Sequence, residues 1–400
     1  MTTRNFALLT ILLFAVAGTT IAHPGFARKY RMSCNTCHSP APKLKDFGEE
    51  FAGNAFVMEG EEPARFHPDT GDDLLLLQAL PPIGFRLDAY LQGSTEAEGD
   101  DFTNDFQVPY MVKFITGGRL TESVAYYFYA YLSERGEVAG VEDAYLYFRD
   151  FLGSPIGLAV GQFQVSDPLF KRELRLTYED YEIYTTTVGQ VPLDLGYDRG
   201  LMASYTAPWG SDFVFEVVNG NGIRVAEDRP FDQDSFKNLF LRWSHGFPYL
   251  RLGAFGYYGE TINAHTNITQ MYGPDVTLST GKFEVNLQYL WRTDDNPMLM
   301  ANPGEMVTTH GGLGEVIYAP QKDRSRWYLI GLYNYRTSDF MDKYRFSINP
   351  SNREEFELEY HSGSLAWTYL IARNFRLLTE YTYNLTDEVH RLTLGFFSAF

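Results

Sequence analysis

Cysteine is nearly absent. The 400 residues hold two, Cys34 and Cys37, within Ser33-Cys34-Asn35-Thr36-Cys37-His38. Two thiols this close exclude a disulfide framework as the source of stability for so long a chain. Long apolar runs are also absent after the first 22 residues. No later segment therefore offers the ~20 apolar residues that a membrane-spanning helix needs. Basic residues are scarce beside acidic ones: 33 Lys and Arg stand against 51 Asp and Glu, a formal charge of −18. That balance excludes nucleic acid as a partner and suits a surface facing cations or cationic proteins. What is plentiful is aromatic side chain, with 28 Tyr and 31 Phe. Aromatics without apolar runs point to an all-β protein, either in water or in an outer membrane.

The first residues read as an export signal. Arg4 gives a positive start, residues 6–16 (FALLTILLFAV) form a short apolar run, and the small-residue stretch 17–22 (AGTTIA) ends as a cleavage site before His23. The apolar run is too short to span a bilayer. The expectation is a signal peptide at 1–22, a short segment at 23–80 and a β-domain at 81–400.

From Pro81 onward the chain breaks into segments that alternate apolar and polar residues with period two. In 283–292, Phe283, Val285, Leu287, Tyr289 and Trp291 fall on one face, and Glu284, Asn286, Gln288 and Arg292 on the other. In 375–385, Phe375, Leu377, Tyr381, Tyr383 and Leu385 oppose Arg376, Glu380, Thr382 and Asn384. In 327–336, Trp327, Leu329, Tyr333 and Tyr335 oppose Asn334 and Arg336. In an outer membrane the apolar face meets lipid and the polar face lines a wet lumen.

About sixteen strand candidates can be counted, and boundaries read this way are good to a few residues. Long connections (93–104, 166–198, 219–236, 293–305, 337–355) tend to alternate with short ones (117–121, 208–211, 246–248, 279–282, 373–374). Outer-membrane barrels segregate long external loops from short periplasmic turns. Two spans break the alternation: Thr386-Asp387 is short where a long loop is due, and 319–325 is long where a turn is due. The expected fold is therefore an all-β, antiparallel outer-membrane barrel of about 16 strands, with a short N-terminal α-helical segment. The chain ends on Phe400, and a last strand finishing in an aromatic residue resembles the C-terminal signal of bacterial outer-membrane barrels. Span 166–198 has mixed charge and no clean alternation. It resembles the loop that folds into porin lumens, the other reading being an ordinary surface loop.

Cys-x-x-Cys-His is the attachment sequence of haem c. Two thiols three apart can each form a thioether to one vinyl group of a single porphyrin, and the next residue, His38, supplies the proximal imidazole. A structural zinc needs about four ligands and no second cysteine pair exists. A thioredoxin-like pair needs a βαβ setting, and a plain disulfide leaves His38 unexplained. Leu44, Phe47 and Phe51 fall at i, i+3 and i+7, a helical stripe suited to a porphyrin face. A segment of this length is too short to build a sizeable core, so haem would supply the missing apolar mass. The sixth iron ligand is Met58 or His67, with His23 and Met32 weaker candidates, or the position is open.

The run 26–38 (FARKYRMSCNTCH), followed by Pro42-x-Leu44-x-x-Phe47-Gly48-x-x-Phe51-x-x-Asn54-x-Phe56, resembles the N-terminus of the fused monohaem cytochrome–porins. Those proteins join a short c-type cytochrome segment to a barrel of about sixteen strands, and members in iron-oxidising bacteria pass electrons from external Fe(II) through the outer membrane. The resemblance implies that Cys34 and Cys37 attach one haem c, with His38 as proximal ligand. It implies an outer-membrane protein of a Gram-negative bacterium, its haem segment in the lumen or at the periplasmic side. There it would carry single electrons between an extracellular partner such as Fe(II) and a soluble periplasmic cytochrome. Acidic stretches at 96–101 and 227–234 are solvated external loops or would draw cations. The other readings are a porin-type channel in which the haem segment is a plug or sensor, and a soluble periplasmic haem protein.

Overall fold

The structure, a computed structural model, describes residues 25–54, 56–58, 71–72, 81–95, 102–138, 140–223, 231–232, 234–263 and 265–400. The expected leader, His23 and His67 lie outside these residues, as does nearly all of the two acidic stretches.

Sixteen strands follow in order: β1 (Ile83–Thr95), β2 (Phe102–Arg119), β3 (Val124–Glu134), β4 (Gly140–Phe148), β5 (Gly157–Gln164), β6 (Tyr197–Thr206), β7 (Ser211–Val218) and β8 (Asn238–Gly246). The rest are β9 (Leu250–Ile262), β10 (Thr266–Ser279), β11 (Phe283–Asp294), β12 (Val307–Tyr318), β13 (Trp327–Ser338), β14 (Tyr360–Ala372), β15 (Phe375–Asn384) and β16 (Val389–Ala399). Each pairs antiparallel with its sequence neighbours, and β1 pairs with β16 (Ala89 opposite Phe396), closing a barrel. Closure removes every sheet edge.

The period-two pattern sets the two faces as expected. On β11, Leu287, Tyr289 and Trp291 are exposed outside, while Asn286, Gln288 and Arg292 are buried inside. On β15, Tyr381 faces out and Arg376, Glu380 and Thr382 face in. An exterior that exposes Leu241, Leu287, Leu329, Leu365 and Leu394 together with Trp243, Trp291 and Trp367 is a lipid-facing band with interfacial aromatics, which a soluble β-protein would not display. One end carries the short turns 120–123, 207–210, 247–249, 280–282 and 373–374; the other carries the long loops 165–196, 219–237, 295–306 and 339–359. The two irregular spans persist, at 385–388 and 319–326. The expected long loop at 93–104 is shorter than its sequence suggested, because Gly93 pairs with Asn104 and both strands run on.

The lumen is not the wet channel that the alternation implied. The loop 165–196 (hereafter the lumen loop) folds into the barrel, as its resemblance to porin loops suggested. Its Tyr181, Ile183, Tyr184, Val191 and Leu193 are buried against inward Phe240, Phe255, Leu290, Leu313 and Leu332 of the wall. Leu176 joins Tyr90, Tyr110, Tyr129 and Tyr131 on another part of it. Inward apolar residues such as Tyr328, Ile330 and Leu332 on β13 make this possible. Buried loop backbone needs hydrogen-bond partners, and the wall supplies them. Glu380 accepts from the N–H of Tyr178 (2.6 Å) and Glu179 (2.9 Å). Arg292 donates to the carbonyls of Thr186 (2.7 Å) and Leu193 (2.8 Å), and Asn334 to that of Asp180 (2.8 Å).

Among the described residues the N-terminal segment has three short helices, α1 (Gly25–Tyr30), α2 (Cys34–Cys37) and α3 (Asp46–Gly53). Two expectations are corrected. Leu44 precedes α3 and pairs with His38 in an isolated bridge, so the helical stripe begins at Phe47. The segment also has a small core of its own. Phe51 packs edge-on against Phe26 (5.5 Å), Tyr30 (5.6 Å) and Phe56 (5.7 Å), and Phe26 stacks on Phe56 (5.0 Å). Phe56 stacks in turn on Tyr127 of β3 at 4.6 Å. Aromatic pairs of this kind compensate for small size, and the barrel wall provides the rest of the burial.

Candidate functional site

Helix α2 is a single turn, and local hydrogen bonds define it. Ser33 caps its start, with Oγ accepting from the Asn35 N–H at 3.3 Å. The His38 N–H donates to the Cys34 carbonyl at 2.9 Å. Cys34 and Cys37 therefore stand one turn apart as free, half-buried thiols. Burial raises both above the ordinary thiol value; the charge of Arg373 works weakly the other way on Cys34, that of Lys45 on Cys37. Redox-active pairs show the reverse shift.

His38 is held by the ring nitrogen it does not need for a ligand. Nδ1 donates to the Pro42 carbonyl at 2.8 Å, which fixes the tautomer and leaves the Nε2 lone pair free. Burial lowers the imidazole below its ordinary value, and the charge of Arg86 adds to this. The ring is thus neutral at physiological pH, the form that binds a metal. Helix α3 lies directly on this turn. A Cβ on Gly48 would sit 2.3 Å from the Cys37 carbonyl oxygen and 2.9 Å from the Leu44 side chain, so only glycine permits the approach.

The structure brings Cys34, Cys37 and His38 together with Met32, whose Sδ lies 3.9 Å from Cys37 Sγ. Met58 follows Val57, which is buried against Ala125 of β3, while the turn faces β13, where Ser39 Oγ meets the Tyr328 hydroxyl at 3.4 Å. Among the described residues, no group of three or more His, Cys, Asp or Glu is placed to hold a metal ion.

The segment sits in the mouth of the barrel at the short-turn end and reaches around it. Lys43 Nζ pairs with Glu284 of β11 at 2.9 Å, and Lys45 with Asp323 of the β12–β13 turn at 2.7 Å. Arg251 of β9 lies 3.8 Å from Glu49, Arg373 of the β14–β15 turn donates to Asn35 Oδ1 at 3.3 Å, and Gly25 abuts Pro82 and Ile83 at the start of β1. Burial opposes the charge on Lys43, but Glu284 beside it outweighs that and holds the ammonium above its ordinary value. None of these barrel contacts is legible in sequence. The only local hint was the paired Lys43 and Lys45 in a segment facing an acidic protein.

No protein-family model matches the chain, and no curated protein matches it in sequence. Solved structures do match. The loop L8 deletion mutant of OmpT, an outer membrane protein of Vibrio cholerae, aligns at TM-score 0.52 and 14% identity over 80% of this chain and 99% of that one. The outer membrane channel DcaP of Acinetobacter baumannii aligns at TM-score 0.55 and 11% identity over 80% and 97%. An anion-selective porin from Comamonas acidovorans aligns at TM-score 0.56 and 8% identity over 80% and 99%. The barrel has the fold of the outer-membrane porins. Identities this low establish the fold alone. With the lipid-facing band, that fold supports an outer-membrane location.

Proposed function

We propose that this porin-like barrel carries one covalently attached haem c in its periplasmic mouth. Through it the protein passes single electrons between an extracellular partner such as Fe(II) and a soluble periplasmic cytochrome. The observation that supports this most is the Cys34–His38 turn: free thiols one turn apart, and an imidazole whose Nδ1 is committed to Pro42 so that Nε2 is available. The donor set fits the group. Cys34 and Cys37 would hold haem through thioethers and His38 through Nε2, with Met58 or His67 as the sixth ligand and Met32 a third candidate on its contact with Cys37. Once attached, haem supplies a one-electron couple whose potential follows its axial ligands and burial.

The protein's own part is positional. The Pro42 carbonyl keeps the His38 ring in one tautomer, and burial keeps it neutral. Gly48 lets α3 lie on the turn, and the Lys43–Glu284 and Lys45–Asp323 pairs seat the segment in the mouth. Wall residues Arg292, Arg376 and Glu380 set the field deeper in the lumen, while Glu284 is committed to Lys43.

A second reading has its own support: a porin-type channel in which the N-terminal segment is only a plug or sensor. The architectural comparisons favour it, since the structures matched over 80% of this chain include an outer membrane channel and an anion-selective porin. One experiment separates the two. Liposomes holding the purified protein and an enclosed soluble cytochrome are given external Fe(II). Reduction of the enclosed cytochrome without ion leakage supports the conduit. Ion conductance with no reduction of the cytochrome supports the channel and sinks the conduit.

A further inference from the structure

Arg376 of β15 is 3% exposed and points into the lumen. Its Nη1 reaches only the Leu176 carbonyl, at 3.3 Å, its Nε has no partner, and its guanidinium lies 5.4 Å from the centre of the Phe397 ring. Among the described residues no carboxylate is in direct contact with it, although Asp88 and Glu380 lie near enough to act on its charge. Asp88 is taken by Arg86 (2.9 and 2.6 Å). Glu173 is taken by Lys113 and the hydroxyls of Tyr129 and Tyr131. Glu380 is taken by two backbone N–H groups of the lumen loop. A buried cation without a carboxylate in contact is costly.

Arg376 lines a crevice between the lumen loop and the wall, together with Arg86, Lys113, Arg175, Asp88 and Glu173. Four cationic side chains thus meet two carboxylates, inside a protein whose overall charge is −18. Arg175 is compensated by charge, with its Nη1 donating to the Arg172 carbonyl at 3.0 Å and Asp180 and Glu173 acting on it, but it is not fully bonded. Its Nε is buried without a partner, and it shares Asp180 (3.5 Å) with Arg172, which holds that carboxylate at 2.6 Å. The free space suits about one particle the size of a water molecule, too little for an intact phosphate or sulfate. A water would satisfy an N–H but neutralise no charge.

We infer that this crevice binds one small monatomic anion of the chloride class, held by Arg376 and Arg175 between the lumen loop and the barrel wall. The anion completes the charge balance of the loop's attachment. The inference stands on the loop and wall alone and does not depend on the haem reading.

The test is the ³⁵Cl NMR line width of the full-length protein in detergent micelles, with chloride titrated at constant ionic strength against gluconate. The wild type shows excess broadening that saturates and is displaced by bromide, and Arg376→Gln loses it. Absence of a saturable excess in the wild type, or its retention in a correctly folded Arg376→Gln barrel, overturns the site. If Arg376→Gln does not fold, bromide-soaked crystals of the wild type decide: an anomalous peak between Arg376 and Arg175 supports the site, and an empty crevice overturns it.

Discussion

Two pieces of chain enter this barrel, and they are held in different ways. The lumen loop is bound through its backbone to buried wall side chains: Arg292 and Glu380, 1% and 0% exposed, each grip two of its backbone groups. The N-terminal segment is bound through side chains at the rim, by pairs such as Lys43–Glu284 and Lys45–Asp323 that stay partly exposed. It keeps an aromatic core of its own around Phe51. The loop is therefore part of the barrel's interior, whereas the segment is a small module docked onto a finished barrel. This suits the proposal that the segment takes up haem as a separate chemical event.

The largest effect expected from this contrast is chemical. Replacing Cys34 and Cys37 with alanine abolishes covalent haem, and His38→Ala removes the proximal ligand. Both leave the barrel's heat-modifiable electrophoretic mobility as in wild type. A pyridine haemochrome assay beside the mobility shift reads the two regions separately.

Next comes Arg292→Met. It removes the grip on Thr186 and Leu193 and leaves Asp294 buried without the cation that lies 2.7 Å away. Breaking such a buried pair costs about 3–5 kcal/mol. Urea unfolding of the barrel shows a lower midpoint, while haem content per chain is unchanged.

Gly48→Ala acts on the segment alone. Its Cβ meets backbone at the Cys37 carbonyl, so α3 must move off the turn, at a cost of about 1–3 kcal/mol. Limited proteolysis cuts the segment faster, and the barrel midpoint stays put.

The smallest effect is at the rim. Lys43→Met removes one partly exposed pair, which is about 1 kcal/mol or less. Glu284 holds Lys43 above its ordinary value, so the pair's contribution is complete below the ordinary lysine value of about 10.4 and is lost only as pH rises through the raised one. Protection of the segment from protease therefore stays flat across neutral pH and falls in strong alkali in the wild type, and Lys43→Met blunts that fall.

Much of the barrel was legible because its signal is local. Alternation on 283–292 and 375–385 placed each side chain on its correct face, and loop lengths identified the two ends. What the lumen contains was not legible. Inward Ile330 and Leu332 share the face of Asn334 and Arg336, and they are part of the surface on which the lumen loop packs. That Cys34, Cys37 and His38 stand together follows from their spacing, whereas the carbonyl that orients His38 belongs to Pro42 and carries no side-chain signature. Gly48 stood in the quoted motif, but its reason, a backbone contact with Cys37, needs three dimensions. The same holds for Arg376: its inward direction follows from period two, and its lack of a carboxylate in contact does not.

The most direct test is the intact mass and visible spectrum of the protein purified from outer membranes. The account predicts one haem per chain, retained under denaturation and lost when Cys34 and Cys37 are both replaced. A chain of unmodified mass, with both thiols titratable and no haem absorbance, would contradict it.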